Sequence, residues 1–302
     1  MIIIQPFQQI LKNTLGNDTN SELGHYLAGL IEGDGAIIVP TKNKSEKGKS
    51  IHPIIRIVFA LPDLPLAEKL QQVLACGFIQ KPKENYVLYE VQNIQGLVNI
   101  ANLINGKMRT PKIEALHRLI NWLNKYKLTN EIILPLELDK SDIGSNSWFA
   151  GFSDADAYFQ VSLVEKKEFK TIKRIKCFYR LELQQNYHEN LEAYNPIIKI
   201  IAEYLQVNLL SRKRIINNKE YSSYMVITSG DSTNLLVDNY FKKFPMFSSK
   251  QLNYLEWSKV LYLKLNKKHL LKKGALICLE AKNNMNKNRN RWTWNHLNKF
   301  YN

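Results

Sequence analysis

Apolar positions along this chain change period in a fixed order, and the order occurs twice. The segments "YLAGLIEGD" and "WFAGFSDAD" are small-residue, apolar and helical in spacing. Each runs into two alternating stretches, "AIIVP" and "IIRIVF" in the first copy, "AYFQVSLV" and "RIKCFYRLELQQ" in the second. A helical segment follows, "PLAEKLQQVLA" or "NPIIKIIAEYL", the latter with Pro196 suited to a first turn. Second hairpins span roughly Gly77 to Val91 and Asn208 to Thr228, turning at "PKEN" and "NNKE". Long helical patterns, "TPKIEALHRLINWLNK" and "SSKQLNYLEWSKVLYLKL", close the copies. The spacing predicts an α+β fold of two pseudo-symmetric α-β-β-α-β-β-α repeats, each with one antiparallel sheet. Pro135, Gly144 and short polar residues between Leu128 and Ser147 mark the connection, which places the repeats at 1–135 and 136–302.

Alternation within the strands also separates their faces. Phe159, Val161 and Leu163 oppose Tyr158, Gln160 and Ser162, and Ile175, Cys177, Tyr179, Leu181 and Leu183 oppose Arg174, Lys176, Arg180 and Gln184. One sheet face is therefore apolar and the other cationic. Composition extends this pattern: 42 basic against 27 acidic residues give a net charge of +15, which points to a polyanion, most simply nucleic acid. A hydrophobic content of 45% over 302 residues is ample for a packed core. Cys76, Cys177 and Cys278 follow no metal-ligand spacing and are expected as thiols rather than disulfides. No run is long and apolar enough for a spanning helix, and Gln5 and Pro6 break the apolar start, so a soluble, unsecreted chain is expected.

The two motif segments place chemistry at their ends. Ala28, Gly29 and Gly33 form a surface without bulk, matched by Ala150, Gly151 and Ala155, so two such helices can pack closely and bring their C-terminal ends together. Asp34 and Asp156 stand at those ends, where the helix dipole disfavours a carboxylate by about 0.3–1 kcal/mol. A divalent cation reverses that balance, and carboxylates with backbone carbonyls suit Mg²⁺. With a phosphate present, such a site supports metal-assisted phosphodiester hydrolysis.

"LAGLIEGDG" and "FAGFSDADA" resemble the paired signature motifs of the LAGLIDADG homing endonucleases, in the monomeric double-motif form encoded in organellar group I introns. "INGKMRTPKIEAL", "PMFSSKQLNYLEW" and "GALICLEAKNNMNKNR" extend the likeness over nearly the whole chain after Ser21. The resemblance implies motif helices packed at the interface of the two repeats and two DNA-binding sheets. It implies catalytic, metal-holding Asp34 and Asp156, with Gly33 and Ala155 as neighbouring metal-site positions, and a supporting basic pair, Lys112 and Lys250. Glu32 and Asp154, two positions before each catalytic acid, are read as motif-helix surface or packing residues. Ala157 stands where the first copy has Gly35, so a positive φ at that position would strain the second copy.

The implied activity is site-specific, double-strand DNA cleavage of a long asymmetric target by a monomer. Mg²⁺ is the expected cofactor, with Mn²⁺ as a substitute and Ca²⁺ supporting binding without cleavage. DNA contacts are expected from Lys42, Lys44, Lys47, Arg56, Lys81, Lys83, Lys166, Lys170, Lys173, Arg174, Lys176, Arg180, Arg212, Lys213, Arg214 and Lys219. The alternative from another class is an intron RNA-binding maturase; a DNA-binding regulator ranks lower because it has no use for paired acids. Abundant Lys, Asn, Ile, Leu and Tyr suggest an A/T-rich coding sequence, as in a fungal mitochondrion, with a plastid as the other option.

Overall fold

A computed structural model describes residues 17–301 apart from 43, 45, 47, 49–50, 81–84, 126–131, 167–170 and 189–190. The chain divides into two compact units, residues 1–155 with 297–302, and residues 156–296. The repeat boundary expected near residue 135 is a different division, because the second motif helix begins inside the first compact unit.

Unit 1 opens with helix α1 (Asn17–Asp34), whose Leu23, Tyr26, Leu27, Leu30 and Ile31 are buried. Strands β1 (Gly35–Ile38), β2 (Ile54–Ala60), β3 (Phe78–Gln80) and β4 (Tyr86–Val91) form an antiparallel sheet in the order β1-β2-β4-β3. Period-two alternation puts Ile37, Ile55, Ile57, Phe59, Val87, Tyr89 and Val91 on the core face. Helix α2 (Leu64–Leu74) joins the two hairpins and buries Leu66, Ala67, Leu70 and Leu74. Helices α3 (Ile94–Ile104) and α4 (Ile113–Lys125) follow, separated by Gly106 at φ 76 and by Pro111, which stop a continuous helix. The segment leading to the second motif is tied to the same unit. Arg109 reaches the Ser141 carbonyl at 2.6 Å and Asp139 at 2.7 Å, and the Asn105 side chain bonds the backbone of Leu134 and Leu136. Helix α5 (Trp148–Asp156) then begins.

Unit 2 repeats the sheet order with longer strands. β5 (Ala157–Lys166), β6 (Thr171–Gln184), β9 (Leu210–Ile216) and β10 (Lys219–Thr228) pair antiparallel as β5-β6-β10-β9, and a small ribbon of β7 (Asn186–His188) and β8 (Leu191–Ala193) extends from β6. Asn217 and Asn218, at φ 50 and 61, make the two-residue turn between β9 and β10. Helices α6 (Asn195–Tyr204), α7 (Asp231–Lys243), α8 (Lys250–Leu265) and α9 (Lys272–Asn283) complete the unit. Its core is aromatic: Phe159 lies 5.3 Å from Tyr179, 5.5 Å from Trp257 and 5.8 Å from Phe241, ring centre to ring centre.

The predicted repeat is therefore present, with α3, α7 and α9 added to it. All three cysteines are free thiols, and Cys177 and Cys278 are buried. Among the described residues, no helix is long and apolar enough to cross a membrane.

Candidate active site and nucleic-acid interface

The small-residue stripe on α1 meets its counterpart on α5 at the level of the backbone. A Cβ built on Gly29 would fall 2.1 Å from the Trp148 carbonyl oxygen, and one built on Gly151 would fall 1.9 Å from that of Tyr26. Only glycine permits this approach from both sides. Each helix ends on its acid: Asp34 is exposed and Asp156 half-buried, and a strand starts at the next residue. Gly35 is not held at positive φ; among the described glycines only Gly48, Gly77 and Gly106 are. Its role is spatial, because a Cβ there would meet Ile31 Cα at 2.6 Å. The strain considered for Ala157 therefore does not arise from φ; Ala157 sits buried at the start of β5.

Lys112, immediately before α4, brings a cation to the end of α1. Its Nζ donates to the carbonyls of Gly35 at 2.8 Å, Gly33 at 3.0 Å and Ile31 at 3.3 Å. The ammonium thus sits where the free carbonyls of the helix concentrate negative potential. Lys250 opens α8, and its backbone N–H donates to Ser248 Oγ at 3.1 Å. The same helix supplies Tyr254 and Trp257 to the cluster around Phe159, three residues beyond Asp156.

Glu32 and Asp154 hold the motif helices rather than facing solvent. Glu32 is 2% exposed; its Oε1 accepts from the backbone N–H of Arg109 at 2.8 Å and of Thr110 at 2.5 Å, and its Oε2 accepts from Trp148 Nε1 at 2.5 Å. Burial pushes this carboxyl above its usual range, and the hydrogen bonds from Thr110, Trp148 and Arg109 oppose the shift. Asp154 is 4% exposed and accepts from Tyr26 Oη at 2.7 Å. Glu32→Gln would turn an amide donor toward at least one of three N–H donors. We expect it to cost about 1–3 kcal/mol of stability while the folded fraction keeps its activity; thermal unfolding measured beside activity at low temperature separates the two effects.

The expected cations divide by unit. In unit 2, strand register puts Arg174, Lys176 and Arg180 on the outer face with Tyr158, Gln160 and Ser162, and continues it through Arg212, Arg214 and Lys219. Arg180 lies over the Tyr158 ring at 5.5 Å and Lys219 over Tyr221 at 6.0 Å. Glu182 stands among the arginines, 2.6 Å from Arg214 and 3.7 Å from Arg212. Two positions depart from the expectation. Lys213 alternates to the opposite face and pairs with Glu220 at 2.8 Å, and Lys173 is the exposed extra residue of a bulge opposite Val164/Glu165. In unit 1, Lys42 and Lys44 are exposed in the loop after β1, and Arg56 is the one expected cation on a described strand. Its Nε lies 2.5 Å from Glu90 Oε1. The cationic face expected on both sheets is thus a property of unit 2, because the outward positions of β1 to β4 are mostly apolar. Lys47, Lys81, Lys83 and Lys170 lie outside the described residues, as does the side chain of Lys166. No local sequence feature marks Glu90 or Glu182; strand register brings Glu90 beside Arg56 and Glu182 beside Arg212 and Arg214.

The carbonyls of Gly33 and Gly35 flank Asp34 as hard oxygen donors, and among the described residues no three His, Cys, Asp or Glu side chains gather into a metal cage. That donor chemistry fits a cation that keeps water and phosphate in its coordination sphere.

Comparison with known proteins gives a consistent result. The family model described as LAGLIDADG endonuclease matches residues 27–123 and 149–261. The intron-encoded DNA endonuclease aI3 of Saccharomyces cerevisiae is 38% identical over 307 residues, covering 93% of this chain and 73% of the relative. The intron-encoded RNA maturase bI4 of the same yeast is 30% identical over 140 residues, covering 46% of this chain and 19% of the relative. The crystal structure of the homing endonuclease I-GzeII in complex with its DNA target matches with a TM-score of 0.67 at 18% identity, covering 88% of this chain and 99% of the other, a likeness of fold.

Proposed function

This chain belongs to the LAGLIDADG endonuclease family, and from that premise we propose that it is a site-specific double-strand DNA endonuclease that hydrolyses phosphodiester bonds as a monomer. The observation that carries the reading is the duplicated helix end: a carboxylate closes each of two motif helices, and the glycines of those helices touch backbone to backbone. Asp34 and Asp156 are the residues that would hold the divalent cations, with Mg²⁺ as the physiological ion, Mn²⁺ as a substitute and Ca²⁺ supporting binding alone. The Gly33 carbonyl can join Asp34 while accepting from Lys112, since a carbonyl oxygen has two lone pairs; Ala155 occupies the matching position beside Asp156. When bound, the metal supplies Lewis acidity toward the scissile phosphate and a more acidic water. Lys112, fixed by three carbonyls, holds a positive charge beside the acid and balances the phosphate, and Lys250 has that role in the second copy. The outer face of the unit 2 sheet and the Lys42 and Lys44 loop bind the duplex.

An intron-encoded relative and the abundance of Lys, Asn, Ile, Leu and Tyr support an organellar gene, in a mitochondrion. The test is cleavage of a duplex spanning the uninterrupted junction of the host gene, with Mg²⁺, Ca²⁺ or chelator. Binding should weaken steeply with salt, log K falling with log salt by about 0.9 for each phosphate contacted; a nearly flat dependence would remove the sheet-on-duplex arrangement. Arg212→Ala should relax base preference locally, at about 1–3 kcal/mol. If no duplex is cut and splicing of the host intron is stimulated, the maturase reading replaces this one.

A further inference from the structure

The outer face of the unit 1 sheet is chemically unlike that of unit 2. Register places Ile38 beside Ile54, Val58 beside Leu88, and Phe78 beside Glu90 on that face. Ile38, Val58 and Phe78 are 42%, 40% and 43% exposed. The charged residues on these strands' outer face are Arg56 and Glu90, which neutralise each other, and Gln92 Nε2 holds the other carboxylate oxygen at 3.0 Å. Bulky apolar rows open to water on a sheet need a cover. The cover that suits this one carries negative charge at its margin and apolar groups at its centre. Exposed Lys42 and Lys44 follow edge strand β1 and can meet phosphates, while the rows themselves can meet base edges.

In the major groove the one apolar group among the four base-pair patterns is the thymine 5-methyl. We propose that the unit 1 sheet recognises a thymine-rich half-site through apolar contact of Ile38, Val58 and Phe78 with thymine methyls, broken by one guanine opposite Arg56, whereas the unit 2 sheet recognises its half-site through arginines. This rests on the endonuclease reading above. Glu90 engages Arg56 through Nε, which leaves the two Nη groups as a fork for guanine O6 and N7. Glu90 is therefore a positioning residue: it fixes the arginine without touching DNA.

Deoxyuridine gives a direct test, because it removes the methyl and keeps the pairing. Using full-length protein and a duplex that it cleaves, thymines are replaced by deoxyuridine in one half-site at a time, and Kd is measured with Ca²⁺. Replacement in the unit 1 half should raise Kd roughly four-fold for each contacted methyl, and replacement in the other half should change little. Val58→Ser should weaken binding to the thymine duplex and remove much of its response to deoxyuridine; Val58 is half open, so the fold should tolerate the change. Equal responses in the two halves, or none, with cleavage intact overturn the inference alone. Concentration-dependent dimerisation that Phe78→Ser abolishes, with the deoxyuridine response unchanged, overturns it in favour of a second copy as the cover. Failure to bind any duplex specifically overturns the endonuclease reading and this inference with it.

Discussion

Asp34→Asn and Asp156→Asn should each abolish double-strand cleavage and leave specific duplex binding largely intact. Both acids end a motif helix, where backbone carbonyls already make the site electronegative and favour a cation. Asparagine keeps the size of the side chain and removes the charge that holds a hard divalent ion. Losing several kcal/mol of metal-derived transition-state stabilisation corresponds to about three or more powers of ten in rate. Binding contacts on the sheets are untouched, and removal of a carboxylate from near the phosphates can strengthen affinity. The measurement pairs Mg²⁺ cleavage with Ca²⁺ binding on one duplex, resolving nicked from doubly cut product. Full cutting by either variant would refute the assignment. Glu32→Gln is the informative contrast, since its loss should appear in stability.

Gly151→Ala should damage the protein more than any other single methyl added to a motif helix. The new Cβ would sit 1.9 Å from the Tyr26 carbonyl oxygen and 2.9 Å from the Leu30 nitrogen, so it meets backbone that cannot rotate away. Gly29→Ala meets the Trp148 carbonyl oxygen at 2.1 Å and the Phe152 nitrogen at 2.7 Å. Overpacking costs about 1–3 kcal/mol where side chains can adjust; here the helices themselves must separate, and the top of that range or beyond is expected. Against a typical total stability of about 5–15 kcal/mol, that is a large fraction. Gly230→Ala is the control, because its Cβ would meet nothing nearer than Thr233 Oγ1 at 3.5 Å. Urea unfolding of the three variants should rank them Gly151 and Gly29 far below Gly230. Near-native stability of Gly151→Ala would mean that α1 and α5 do not pack as described.

Local pattern sufficed for a great deal. The duplicated order of periods located both sheets and the helices α2, α4, α6 and α8, and alternation along β6 sorted Arg174, Lys176 and Arg180 from Ile175, Cys177 and Tyr179. Period is a property of neighbouring residues, so one strand or helix is enough to display it. Helices α3 and α7 lie between the second hairpin and the closing helix of each copy, where the predicted repeat has no element.

The polar residues needed the whole fold. Glu32 is a linchpin because Arg109, 77 positions away, and Trp148, 116 away, aim N–H groups at it; Asp154 meets Tyr26 across 128 positions. In "LIEGDG" the helix end marks Asp34, but no local feature says which distant groups Glu32 will meet. Strand register likewise decided which charges act together, setting Arg56 against Glu90 and Lys213 near Glu220. Local spacing thus yields the repeat, the motif helices and the acids that end them, because a period is displayed by neighbouring residues. Which polar groups are buried and which are paired comes from the tertiary structure, because a charge is neutralised by whatever the fold brings to it from far along the chain.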